Sequence, residues 1–324
     1  MEDFISDETI EKTFQVGSPS RLIISNVRGS IVIQPGEAGA IEVKALKHGN
    51  SESASDLIDM TQGSDGTVRV ETRSNESLFG WLSHPPKVEY SVRVPQGIQL
   101  EASGISSSVN VSGLTGTFKL KTISGEMEVA SLTGPFKLNA VSGDISGSQL
   151  SGALELQTVS GRVKLLQSVF PSVDASTVSG DLTLQSPISA GPYSFGSVSG
   201  SVRLLVPPDT SCSAELNTVS GSIRSSLPVS ATSVGPGRKV TQVGGGGTGV
   251  RLKSVSGSLS FEVEGIPPAS VSASSSTVSS EIPVPPTPPS APPLAPLSTA
   301  EILQRIERGE MTVDEAIKLM KGQS

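Results

Sequence analysis

Seven side chains stand directly after the Ser-Gly pairs of one periodically recurring phrase, and their types and spacing are the first candidates for chemistry: Glu126, Asp144, Arg162, Asp181, Ser201, Ser222 and Ser258. If the segments that carry them stack in register, Arg162 lies between the carboxylates of Asp144 and Asp181, one layer away on each side. Such a trio could hold a weak cation or a small polar ligand. It could equally be a solvated charge ladder of roughly 0.2–1 kcal/mol per pair, and we take that simpler reading. Acid–base and glycosidic chemistry need a positioned acid and base in one cleft, whereas these carboxylates are spread one per layer. The glycine-rich aspartate repeats of calcium-binding rolls are absent.

The remaining reactive residue types are sparse. The two histidines, His48 and His84, lie outside the Ser-Gly series, and the one cysteine, Cys212, excludes an internal disulfide framework or a cysteine metal cluster. Cys212 sits in the alternating run Cys212-Ser-Ala214-Glu-Leu216 and reads as a small buried hydrophobe. Gly244-Gly-Gly246-Gly-Thr-Gly249 matches a dinucleotide fingerprint on paper, but a strand follows it where that fold needs a helix. We therefore expect no catalytic residue, no metal site and no cofactor: not an enzyme.

The elements that position these residues repeat. The phrase reads Ile123-Ser124-Gly125, Val141-Ser142-Gly143, Val159-Ser160-Gly161, Val178-Ser179-Gly180, Val198-Ser199-Gly200, Val219-Ser220-Gly221 and Val255-Ser256-Gly257, with a degenerate first rung at Ala102-Ser103-Gly104. Successive glycines from Gly125 to Gly221 are 18, 18, 19, 20 and 21 residues apart, a period that marks stacked units. Apolar and polar residues alternate on both sides of each phrase, as in Phe136-Lys-Leu138 and Val163-Lys-Leu165, which is the period of a half-buried strand. Leu156 and Val163 are seven apart and cannot both face inward on one regular strand, so the chain must bend at Val-Ser-Gly, with glycine supplying the unusual dihedral. A second, weaker turn recurs at Ser112-Gly113, Ser131-Leu-Thr-Gly134 and Ser148-Gln-Leu-Ser-Gly152. Two strands and two turns per period predict a single-stranded, parallel β-helix-like β-solenoid, about eight coils and ~40 Å long, with the β-branched residues of the phrase in one column. Stacked antiparallel hairpins are the alternative, but they give no reason for the phrase to recur.

Around this rod we expect a mainly β protein in four parts. Residues 10–101 form a less regular β cap with entrance strands at 11–16, 21–27, 30–34, 41–47, 56–62, 67–73 and 88–94, and a hairpin turn at Gly63–Gly66. Residues 102–265 are the solenoid. Residues 266–297 hold ten of the chain's 23 prolines and read as a disordered, partly stiff linker. Residues 298–324 switch to helix signals: capping boxes at Ser298/Glu301 and Thr312/Glu315, with Gly309 and Gly322 as stops, predict a two-helix hairpin. Its apolar face, Ile302, Leu303, Ile306, Val313, Ile317 and Met320, is too large for the hairpin to bury alone. We take it as the partner-binding or self-association surface. The Leu78-Phe-Gly-Trp-Leu82 insert reads as a fold over a core end, with membrane contact the less favoured alternative.

Aromatics make up 3% of the chain, which suits a thin aliphatic solenoid core. The net charge of −7 and the absence of a basic face argue against nucleic acid. An acidic start without an apolar segment, and no run of transmembrane length, lead us to expect a cytoplasmic protein.

The recurring T-[IV]-S-G-[DES]-[IVL] phrase, the entrance strands and the Val-Pro corners at Val94 and Val206 resemble the bacterial "putative adhesin" β-solenoid family over about residues 10–265. Residues 301–320 are similar to the short SHOCT-like helical module that accompanies such solenoids in some envelope-stress proteins. These resemblances imply a bacterial, non-enzymatic binding or scaffold role without an established active site, with a link to envelope-stress regulation. A surface adhesin exported by a non-classical route is the alternative, and a carbohydrate-active β-helix enzyme fares worst.

Overall fold

The computed structural model describes residues 7–49, 53–73, 86–189, 191–226, 230–233, 238–243 and 247–263. Strands dominate this part of the chain and join into one sheet that wraps into a two-faced stack. The first section holds β1 (Glu8–Gln15), β2 (Arg21–Pro35), β3 (Ala40–His48), the one-turn helix α1 (Ala54–Leu57), β4 (Ile58–Gln62), β5 (Val68–Thr72), β6 (Lys87–Val94) and β7 (Ile98–Ser112). Paired strands follow: β8 (Gly116–Thr122) and β9 (Met127–Ala130), β10 (Phe136–Ala140) and β11 (Ile145–Ser148), β12 (Leu154–Thr158) and β13 (Arg162–Leu166). The pattern continues with β14 (Val173–Thr177) and β15 (Asp181–Gln185), then β16 (Tyr193–Ser197) and β17 (Val202–Val206). The chain closes with β18 (Cys212–Thr218), β19 (Ile223–Ser225), β20 (Ser230–Ser233), β21 (Arg238–Val243), β22 (Thr248–Ser254) and β23 (Leu259–Val263).

The solenoid expectation holds. β8, β10, β12, β14 and β16 pair in parallel on one face, and β9, β11, β13, β15 and β17 do so on the other. The register is residue for residue, so Leu120, Leu138, Leu156, Ala175 and Phe195 form one internal column. Met127, Ile145, Val163, Leu182 and Val202 form its counterpart on the second face. All ten are at most 1% exposed. Burying each large aliphatic among them is worth about 1.5–3 kcal/mol, and the core is the sum of such columns. Phe118 stacks on Phe136 at 5.5 Å between ring centroids, and Phe136 meets Phe170 edge-on at 6.3 Å, filling the rod near the second turn.

The corner between the faces explains the phrase. Its leading threonine is buried, and its hydroxyl closes the bend: the Gly180 N–H donates to Thr177 Oγ1 at 2.9 Å, and Thr177 Oγ1 donates to the Gly180 carbonyl at 3.2 Å. Thr122 does the same with Gly125. The serine N–H continues the ladder, donating from Ser142 to the Ile123 carbonyl at 2.7 Å and from Ser160 to that of Val141 at 2.8 Å. The glycine serves a purpose other than the expected one. Of the seven rung glycines only Gly161 has a positive φ, of 120°. What forbids a side chain is the neighbouring coil, since a Cβ at Gly143 would overlap the Gly125 carbonyl oxygen and one at Gly200 that of Gly180. The left-handed positions belong to the second turn, where Gly113, Ser131, Gln149 and Gln167 recur at φ of 70°, 53°, 56° and 50°.

Three local expectations are corrected. The first rung is not Ala102-Ser103-Gly104. Gly104 pairs with the inward Thr122, and Ser124 donates to the Ile105 carbonyl, so the rung is Ile105-Ser106-Ser107. Ser107, with no exposed surface, takes the glycine place. The strands expected at 21–27 and 30–34 are the single β2, which pairs with β7 on both faces and brings Arg28 and Gly29 against Ser106 and Ser107 as one more coil. The strand expected at 56–62 begins only at Ile58, because α1 precedes it, its first N–H held by the Glu8 carboxylate at 2.6 Å. The Gly63–Gly66 hairpin forms as expected, with Gly63 N–H on the Thr67 carbonyl at 2.9 Å.

The coils do not stack in chain order. β22 lies between β16 and β18, and β23 between β17 and β19, so the Val255 rung is inserted between those of Val198 and Val219. The chain builds the last coil first, passes through the antiparallel pair β21 and β20 beyond it, and returns to fill the gap. Antiparallel strands finish the other end as well: β4 on β5, and β3 and β1 beyond β6. Antiparallel edges give an open stack a terminus without inviting another coil. The Trp81 insert, residues 244–246, the proline-rich 266–297 and the whole of 298–324 lie outside the described residues.

Candidate functional site

Arg162 does lie between the two aspartate coils, but its side chain leans to one of them. Its guanidinium stands 3.7 Å from Asp144, and its backbone N–H donates to Asp144 Oδ1 at 2.7 Å. Asp181 accepts the backbone N–H of Ser201 at 3.0 Å in the same manner. The rung carboxylates therefore tie one coil to the next. Arg162 is 71% exposed, which limits its ion pair to a few tenths of a kcal/mol.

The outer faces follow the same economy. Lys119 Nζ meets Glu101 at 2.7 Å across neighbouring coils, Lys137 meets Glu155 likewise, and Arg251 stands 3.4 Å from Glu215. The hydrogen bond from Lys119 holds the Glu101 carboxyl below the usual carboxylate range. A groove of about 530 Å³ runs along the outer surface of β16, β22 and β18, lined by Ser194, Ser213, Glu215, Gly249 and Arg251. Pro192, Tyr193 and Val250 also line it, and its one cation, Arg251, is already paired with Glu215. Among the described residues no three of His, Cys, Asp or Glu are grouped to hold a metal.

Buried polar groups are structural. Asn26 occupies the inward corner place that threonine takes in later coils, donating to the Val88 carbonyl at 2.8 Å and to Ser107 Oγ at 3.2 Å. Thr72 donates to Asn26 Oδ1 and lies 2.7 Å from the Tyr90 hydroxyl. Burial pushes the Tyr90 phenol up to about 12. Sequence reasoning passed over this network, although an asparagine in the threonine register was its trace. Cys212 is fully buried, and burial raises its thiol to about 11, as befits the small hydrophobe expected. His48 closes β3 between Asp7 and Glu89, each 3.2 Å away. The sequence-derived partner-binding set, Ile302, Leu303, Ile306, Val313, Ile317 and Met320, lies outside the described residues, as does His84.

A corner-stitched, two-faced parallel stack with paired surface charges defines the molecule as a β-solenoid. Its sequence matches the Toastrack DUF4097 model over residues 20–262, and the chain belongs to that family. Three solved structures are similar over 79% of this chain. One is a putative adhesin from Bacteroides fragilis, at 14% identity over 97% of its own chain and a TM-score of 0.45. A putative adhesin from Parabacteroides distasonis has 13% identity over 97% of its chain and a TM-score of 0.42. A putative lipid binding protein from the same organism has 13% identity over 96% of its chain and a TM-score of 0.37. Comparison with curated proteins gives no match.

Proposed function

We propose that this protein is a non-enzymatic bacterial interaction scaffold, a β-solenoid rod tethered through 266–297 to a helical association module at 298–324. The observation that carries the reading is how the rod uses its charged side chains. Glu101, Glu155, Asp144 and Glu215 are each matched to a cation on a neighbouring strand. Spent in this way, they stiffen a repeating surface in place of converging on a reaction centre. The apolar face of Ile302, Leu303, Ile306, Val313, Ile317 and Met320 is the part of the sequence that still needs a partner, which supports its role in association. The similarity of 301–320 to the SHOCT-like module supports a place in envelope-stress regulation.

The test is an affinity pull-down and a light-scattering mass on the full chain, with and without Ile306→Asp plus Ile317→Asp. The scaffold reading expects partners or oligomers to be lost while the β circular dichroism stays. An unchanged mass and partner list would sink it, as would cleavage in a polysaccharide panel by the purified rod. Fractionation of the native host decides which side of the envelope the rod works on.

A further inference from the structure

The β-branched residues of the corner phrase form a ridge on the outside of the rod, and this ridge is unevenly covered. Ile105 and Ile123 are each 47% exposed at one end, and Val219 is 38% exposed at the other. Val141 and Val159 are partly buried. Val178, Val198 and Val255, on three successive coils, are 1%, 1% and 5% exposed. None of these three belongs to the continuous core that contains Val173, Ala175, Phe195 and Leu252. These three valines are thus buried apart from that core, in the middle of a ridge whose two ends are open.

The connectivity narrows what can cover it. The β20–β21 hairpin lies beyond β18, and to reach Val255 from there it would first have to cover Val219. The segment 74–85 joins β5 to β6 at the opposite end and would first cover Ile105 and Ile123. The chain after Val263 instead leaves the Val255 coil itself, from the end of β23 at the opposite edge of the rod. Sixty-one residues follow Val263 (324 − 263), of which 266–297 are spacer. At about 3.1 Å per residue in polyproline conformation, that spacer easily spans the width of the rod.

We propose that the ridge formed by Val178, Val198 and Val255 is the docking site of this chain's own segment 298–324, seated through Val313, Ile317 and Met320 or their counterparts Ile302 and Ile306. Coils repeat every ~4.8 Å, and helical side chains on one face repeat every ~5.4 Å, so one helix laid along the ridge places successive apolar residues against successive valines. The inference rests on reading 298–324 as an apolar helical module and deepens it. The face offered to a partner is held against the rod until the partner competes for it.

The test uses the full chain carrying Ser199→Cys, an exposed neighbour of Val198, labelled with a benzophenone maleimide. Cys212 is buried and stays unlabelled. Irradiation is expected to give intramolecular cross-links from position 199 into 298–324, unchanged on dilution and lost when Ile306→Asp and Ile317→Asp are added. Cross-links only between chains would overturn docking within the chain while leaving the association module standing. Cross-links only to 74–85, 227–246 or 264–297, or none at all, would overturn the docking site. If the pull-down were also indifferent to the two aspartates, the module itself would fall.

Discussion

Ser220 donates its backbone N–H to the carbonyl oxygen of Val255 at 2.9 Å, so a coil made early in the chain rests on one made 36 residues later. β18 has no parallel neighbour among the described strands other than β22, and β19 none other than β23. The end of the rod is thus held by its last-synthesised coil. Leu252→Asp, a buried charge in β22, should raise hydrogen exchange over 212–225 as well as 248–263 while 98–166 stay protected. Disturbance confined to 248–263 would contradict the inserted order.

The rung glycines should be intolerant for reasons of contact. Gly143→Ala drives a Cβ into the Gly125 carbonyl oxygen, a backbone atom that cannot swing aside. Gly161→Val adds an unfavourable φ to a collision with the Gly143 carbonyl oxygen. Each should cost more than about 3 kcal/mol, whereas Gln157→Val on the exposed face should stay within about 0.5 kcal/mol. Urea denaturation of the three variants gives the comparison, and equal midpoints would rule out the close approach.

The corner hydroxyls offer a change in both directions. Thr177→Val keeps the shape but removes both bonds to Gly180, leaving a buried N–H unpaired at about 1–3 kcal/mol. In the Gly143 coil the same inward place is held by Ala140, between Thr122 and Thr158 in the column. Ala140→Thr should supply the missing hydroxyl and raise stability by about 0.5–1 kcal/mol. Loss of stability in that variant would mean that the column has no room at this coil.

How far these features could be read in advance depended on whether they were local. The Val-Ser-Gly phrase and the alternation around Leu138 and Leu156 are local, and they specify a coil, its inward side chains and its corner. The facing of Asp144 and Arg162 followed from register alone. Stacking order is not local: Val219 and Val255 carry the same phrase, and nothing in either says which will meet Val198. The rung at Ile105-Ser106-Ser107 was hidden because a serine replaces the glycine. Asn26 reads as a turn residue until Thr72 and Tyr90 are placed beside it. The amphipathic pattern at 298–324 is local too but lies outside the described residues, while the burial of Val178, Val198 and Val255 is a tertiary value that no pattern contains.

Two buried acids predict an alkaline limit to stability. The Cys212 thiol goes from an ordinary 9.0 to about 11 and the Tyr90 phenol from 10.0 to about 12, both because burial disfavours the charged form. A folded pKa above the unfolded one means that the folded state holds its proton longer. The stability from each group is complete below the unfolded value and is lost as pH rises through the folded one. Unfolding free energy should therefore fall between pH 9 and 11 through Cys212 and between 10 and 12 through Tyr90. Cys212→Ala should remove the first part of that slope. Tyr90→Phe should remove the second, at the cost of the contact with Thr72. Urea titrations at stepped pH test both, and a wild-type slope that persists in the double variant would place the alkaline loss elsewhere.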